Sequence, residues 1–233
     1  MPEIIKLSVD GASIDALLGV PKGNGIHPGI LVAHHQEGLS PFTRDLIDKL
    51  ATAGYVAVCP DHYHRLPPDA TLETKRTSAH DRDVLKELAA GLGFLENDPR
   101  VRPDRLAILG HCMGGRSAFL GASLFEGLRC AVIFYPTRML AKPADGMAAF
   151  ELLHKMSCPV IGFFGGRDRL IPLQHADQIE TELKRCGVSV EFHRYPEAGH
   201  AFGNFTSSGD YCEEAARDSW NRALNFLQSH LGA

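Results

Sequence analysis

Apolar residues along the chain gather in short runs bounded by Gly, Pro or Asp: IIKLSV (4–9), IDALLGV (14–20), GILVAHH (29–35), YVAVCPD (55–61), RLAILGH (105–111), CAVIFYP (130–136), PVIGFFG (159–165) and VSVEFHRYP (188–196). Runs of this length, rich in β-branched residues and closed by turn formers, predict strands. From Gly29 onward most are continuously apolar rather than alternating, the pattern of strands covered on both faces. Between them, apolar residues recur every three or four positions, which predicts helices over about 42–53, 81–97, 113–126, 174–186 and 211–230. The alternation predicts an α/β chain with a mostly parallel central sheet and helices on both faces. Only Gly-Val-Pro-Lys-Gly-Asn-Gly follows the second run, with no helix before Ile30, so the leading strands are expected to be antiparallel. The segment HRLPPDATLETKR (64–76) shows neither period and is expected to be an irregular stretch beside a site.

Composition narrows the picture. The 233 residues are 44% hydrophobic and 22% charged, enough to bury one core over 1–233. The net charge is −4 and no Lys/Arg block exceeds two residues, so nucleic acid is not an expected partner. The first twenty residues interrupt their apolar positions with Glu3, Asp10 and Asp15, unlike a signal peptide. Apolar runs such as CAVIFY (130–135) fall far short of the ~20 residues that cross a bilayer, so no membrane association is expected. The six cysteines are scattered, with no Cys-x-x-Cys pair, as in a reduced cytoplasmic protein. A monomer or small homo-oligomer is expected.

One stretch concentrates chemistry. In LAILGHCMGGRSAFLGASL (106–124) a buried strand runs through Gly110-His-Cys112-Met-Gly114 into an apolar helix. This is the nucleophile-elbow pattern Gly-x-Ser-x-Gly with cysteine in the serine position. A side chain at the apex of so sharp a strand-to-helix turn needs glycines two residues to either side, where a Cβ would collide. The Met113 N–H would then face an oxyanion forming next to the sulfur. Two other readings of the same residues exist: Cys112 as a small buried hydrophobe, and the glycines as a phosphate cradle. Neither Gly-x-x-x-x-Gly-Lys-Ser/Thr nor Gly-x-Gly-x-x-Gly is present to support the latter.

Two further residues fit the elbow. GGRDRLIP places Asp168 just past a buried strand, and EAGHAFGNF places His200 just past the next. The order nucleophile, acid, histidine is the one used with elbows of this kind, on loops that meet at the carboxyl edge of a sheet. His200 would exchange a proton with Cys112 while Asp168 orients the ring. Taken singly, Asp168 reads equally as a turn cap and His200 as a surface loop residue.

At these residues the chain resembles the dienelactone hydrolase family, α/β-hydrolases with a cysteine nucleophile. The likeness covers nearly the whole length: HHQEGLSPFTRDLIDKLATAGYVAVCPDHY, LGHCMGG, GGRDRLIP and EAGHAFGNFTSSGDY each look like the corresponding family segment. The resemblance implies the α/β-hydrolase fold, a small ester or lactone substrate, no cofactor and no metal. It implies that Glu37 pairs with the resting thiol, that the Gly38 N–H is a second oxyanion donor, and that Tyr135 lines the pocket. Family members also grip a substrate carboxylate with arginines, one of them four residues after the histidine. That position here is Asn204, and the segment carrying the other is shorter, leaving Arg76 or Arg82 as replacements. An uncharged or differently shaped ester or lactone is therefore expected.

His34, His35, Asp61, His62 and His64 follow two strand ends and offer metal-ligand chemistry, against a plainer role at a pocket rim. The function expected is a cysteine-dependent hydrolase working through a thioester; the alternative is a non-catalytic binding protein on the same fold.

Overall fold

Side-chain alternation within each strand builds the layers. In the strand that carries the elbow, Leu106 and Ile108 join one apolar cluster while Ala107 and Leu109 join another. Both faces of the sheet are therefore buried, and the strand reads as continuously apolar. The computed structural model describes residues 1–142 and 148–232. Its eight strands are β1 (Glu3–Val9), β2 (Ala12–Gly19), β3 (His27–Ala33), β4 (Val56–Pro60), β5 (Val101–His111), β6 (Leu128–Phe134), β7 (Val160–Gly165) and β8 (Val190–Tyr195). They form one sheet in the order β1-β2-β4-β3-β5-β6-β7-β8. β1 pairs antiparallel with β2 and β2 with β4; every other neighbouring pair is parallel. This is the α/β-hydrolase architecture, with the antiparallel leading edge read from the sequence.

Helices cover both faces. α1 (Pro41–Thr52) and α6 (Glu213–Leu231) lay Ile47, Leu50, Ala223 and Leu227 against Ile30, Val32 and Leu109. α3 (Asp81–Asn97), α4 (Met113–Leu124) and α5 (Leu173–Arg185) cover the other face through Leu88, Leu95, Phe119, Ile179 and Leu183. Pro41 opens α1 and the Ser40 hydroxyl accepts from Thr43 N–H at 3.4 Å, so this helix begins where its capping chemistry dictates. After β3 the chain moves outward to β4, then returns across β3 to lay down β5. That reversal opens a crevice at the carboxyl ends of β3 and β5, the usual ligand position in such sheets.

Three elements differ from the sequence reading. The stretch at 64–76 is not wholly irregular, since α2 (Leu72–Ser78) begins within it, capped by the Thr71 hydroxyl accepting from Thr74 N–H at 3.1 Å. None of its residues is buried, so there was no apolar period to read. A 3₁₀ helix spans Ala149–Lys155, and β5 starts at Val101 rather than near Arg105. Among the described residues no helix is long and apolar enough to cross a membrane.

Candidate active site

β5 passes into α4 through one residue, Cys112, at φ 56° and ψ −119°. A non-glycine residue held there costs about 1–3 kcal/mol unless its surroundings hold it in place. They do: Cys112 N–H donates to Phe134 O at 3.0 Å, and Arg116 N–H and Thr137 N–H both donate to Cys112 O at 3.2 Å. The flanking glycines answer to space. A Cβ on Gly110 would lie 2.0 Å from Gly114 O, and one on Gly114 would lie 2.0 Å from Ala33 O. Strand and helix thus approach closely enough to push the cysteine side chain out to the sheet edge, where it is partly exposed. Behind the elbow, the buried Arg116 donates two hydrogen bonds to Asp81, at 3.1 and 2.6 Å, tying α4 to the start of α3.

Two loops converge on the sulfur. After β7 the chain turns at Asp168, whose Oδ1 accepts from Leu170 N–H at 2.8 Å and Ile171 N–H at 3.0 Å. Its Oδ2 lies 2.8 Å from His200 Nδ1, and His200 Nε2 lies 3.2 Å from Cys112 Sγ. The carboxylate fixes the proton on Nδ1 and leaves Nε2 to share one with the sulfur. Burial opposes charge on this ring, but the hydrogen bonds and charges of Asp168 and Cys112 outweigh it and raise His200 to about 10. The neighbouring His35, more deeply buried and without such partners, falls to about 4, mainly through burial and then through the charge of His200.

The sulfur opens into a cavity of about 850 Å³. Tyr135 and Asn204 line it, as does Glu37. Tyr135 is buried, at φ 35°, its ring edge-on to His200 at 5.2 Å and its hydroxyl without a hydrogen-bond partner among the described residues. Asn204 is also buried; its Oδ1 accepts from Thr206 N–H and hydroxyl at 2.9 and 2.7 Å, so part of its role is to shape the loop after His200. Glu37 makes no hydrogen bond to Cys112 among the described residues. Its carboxylate stands 3.7 Å from His35 Nε2, and because His35 is neutral near pH 7 this is not an ion pair.

Two sequence-derived assignments need correction. Gly38 sits at φ 78° and closes a turn, its N–H donating to His35 O at 3.0 Å, so it is not free to hold an oxyanion. Gln36 and Glu37, which do line the cavity, have backbone N–H groups with no acceptor among the described residues. Arg82 points into solvent beside Asp83, at 3.8 Å, and does not line the cavity. The arginines that do are Arg167 and Arg169, on either side of Asp168. Arg167 pairs with Glu197. Sequence reasoning stopped at the aspartate and passed over both neighbours, although a loop that delivers one side chain to the cavity delivers the adjoining ones to its rim.

The histidine cluster resolves into a fastening. Glu87 of α3 is fully buried and takes hydrogen bonds from His64 and Arg65 of the loop after β4, with His62 Nδ1 3.3 Å away, while the His34 ring lies tilted against His62 at 4.1 Å and its Nε2 accepts from the His62 backbone N–H at 3.0 Å. Burial pushes Glu87 upward against the pull of Arg65 and His64, and pushes His62 down to about 3. No group of side chains suited to a metal ion occurs among the described residues.

Comparison with known proteins finds relatives over nearly the whole chain. The model of a family described as the dienelactone hydrolase family matches residues 14–231. A carboxymethylenebutenolidase of Pseudomonas putida is 32% identical, covering 94% of this chain and 93% of that protein. A probable 2-oxo-3-(5-oxofuran-2-ylidene)propanoate lactonase of Bradyrhizobium sp. is 30% identical, over 97% of this chain and 94% of its own. The crystal structure of a putative dienelactone hydrolase from Klebsiella pneumoniae superposes with a TM-score of 0.89 at 27% identity, covering 97% of this chain and 98% of the other.

Two outcomes test the site's physics. Gly114→Ala forces a Cβ onto the Ala33 carbonyl and is expected to lower Tm by on the order of 10 °C in a melting experiment; an unchanged Tm would mean that strand and helix are not in contact there. His200 is raised above the ~6.5 of a free ring, so its stabilisation is complete below that pH and fades as pH climbs to about 10. Urea midpoints measured across that window should fall with rising pH, and fall less in Asp168→Asn.

Proposed function

Because the chain belongs to the dienelactone hydrolase family, we propose that it hydrolyses a small lactone or ester by covalent catalysis at Cys112, with His200 and Asp168 completing the relay. The observation that carries this reading is the unbroken run of hydrogen bonds from the Asp168 carboxylate through His200 to a sulfur presented on an elbow. The relatives are named as lactone hydrolases, which favours an enzyme over a non-catalytic binding protein.

The sulfur, its proton held by His200 Nε2, attacks the substrate carbonyl carbon and the carbonyl oxygen gains the negative charge. Met113 N–H, at the start of α4, stabilises that charge together with a second N–H from Gln36 or Glu37. Collapse breaks the bond between carbonyl carbon and ring oxygen, and the proton on Nε2 passes to the departing alkoxide. In a lactone this leaves an open hydroxyacyl chain bound as a thioester. Part of the pull that raised His200 came from Cys112, and that part vanishes when the sulfur becomes a thioester. The ring is then able to accept a proton from water, which attacks the thioester; the sulfur departs, and a free acid and the resting pair are restored. No metal or cofactor is required by these steps. In the resting arrangement Glu37 stands beside His35, so any direct exchange with the thiol requires its side chain to swing inward.

A carboxylate on the substrate is supported by Arg169 on the cavity wall and by the Bradyrhizobium relative, whose name specifies a propanoate lactone. This replaces the expectation of an uncharged or differently shaped substrate, which rested on Asn204 and on the shortened segment before the elbow strand.

Cys112→Ala is expected to lose turnover of p-nitrophenyl acetate and simple lactones by roughly 10⁴-fold or more, and iodoacetamide should inactivate the wild type with the adduct mapped to Cys112. Turnover that survives both treatments would remove the cysteine from the mechanism. Arg169→Ala should lower kcat/KM for a carboxylate-bearing lactone by roughly fivefold, as suits an exposed ion pair, leave a neutral lactone unchanged, and abolish the salt dependence of the difference.

A further inference from the structure

A second cavity, of about 500 Å³, adjoins the one that holds Cys112, and the two share the side chains of His111 and Tyr211. Its wall is aromatic, built from Phe42 of α1, Phe134 at the end of β6, Phe205, and Trp220 of α6. At its base the rings are tightly engaged: His111 stacks on Phe134 at 4.1 Å and meets the edge of Phe42 at 5.1 Å. At its mouth they are not, and Phe205 and Tyr211 are among the large apolar side chains left exposed. The rim carries Lys49 and Arg217 against Asp45 and Glu213, a balance that selects no ion of either sign. His111 is 5% exposed, yet its Nδ1 has no hydrogen-bond partner among the described residues. Burial above all, with the Lys49 charge adding to it, holds that ring neutral. His111 is thus a neutral ring dividing the two cavities, its Nδ1 sealed within the packing.

Resting on the reading of the chain as a lactone or ester hydrolase, we infer that this cavity receives an aryl portion of the substrate, seated against Phe42, Phe205 and Trp220 while the carbonyl reaches Cys112 past His111. The space is ample, since an apolar cavity of about 150 Å³ already admits a benzene ring. Flat aromatic walls favour a ring over a flexible chain, because offset and edge-on ring contacts add to the gain from burial.

The test compares two lactones that differ by one fused ring, dihydrocoumarin and δ-valerolactone, in the wild type and in Ala216→Phe. Ala216 lies on α6 along the second cavity, and a phenyl group there fills the space. The variant is expected to lose about tenfold in kcat/KM for dihydrocoumarin, the range a filled apolar subsite produces, mostly through KM, and to hydrolyse δ-valerolactone within about twofold of the wild type. Equal losses on both lactones, or none on dihydrocoumarin, overturn the assignment. A second readout needs neither turnover nor a variant: Trp220 is the chain's only tryptophan, so benzyl alcohol added to the wild type should change its emission saturably, with ethanol inert. Should neither lactone be hydrolysed, the hydrolase reading fails, while the Trp220 titration still decides whether the aryl site exists. An unresponsive Trp220 rules it out even in an active enzyme.

Discussion

Between β5 and α4 there is room for one residue, and the packing leaves it no choice of conformation. The carbonyls of Gly114 and Ala33 occupy the space where neighbouring side chains would stand, so the strand runs almost directly into the helix. The strain of placing Cys112 at positive φ, about 1–3 kcal/mol, is of the same order as three backbone hydrogen bonds at about 0.5–1.5 kcal/mol each. The elbow therefore persists because Phe134, Arg116 and Thr137 hold it from two sides. Everything chemical depends on this, since Asp168 and His200 arrive from loops after β7 and β8 and can align only on a sulfur whose position is fixed.

The electrostatics of the sheet edge follow from one comparison. Burial pushes His34, His35, His62 and His111 toward the neutral form, and the same force acts on His200. Only His200 has a buried carboxylate on one nitrogen and a sulfur on the other, and these partners reverse the sign. One charged ring thus stands among neutral ones. The neutral rings serve as apolar walls that carry a donor or acceptor, as His111 does on Phe134.

Much of this could be read from the chain. Unbroken apolar runs such as GILVAHH and CAVIFYP foretold strands covered on both faces, because burial on two sides removes any need for polar alternation. Gly110, Cys112 and Gly114 announced the elbow, because few other turns demand small residues at that spacing. What escaped notice lacked such a demand. α2 buries nothing, so no period marks it. Gly38 was expected as an oxyanion donor from the family resemblance, whereas its positive φ and its turn with His35 depend on local folding that a shared motif does not describe. Arg169 could have been read from its place beside Asp168, whereas the tether at Glu87 became legible only once segments distant in sequence were brought together, with Glu87 looking like any surface position of an amphipathic helix.

α2 itself has a consequence for how such a chain changes over generations. It is held by the Thr71 cap, its own backbone and Lys75 over the Tyr63 ring, with no side chain sunk into either apolar layer, while the residues before it are moored at Glu87. Insertions or deletions in this arc leave the sheet and its elbow untouched. Arg76 and Thr77 border a cleft that reaches Met113, so the arc sits where new side chains could meet an incoming molecule. Packing therefore fixes the scaffold and the relay, whereas this shallowly seated helix is where a lineage is free to try out different clients.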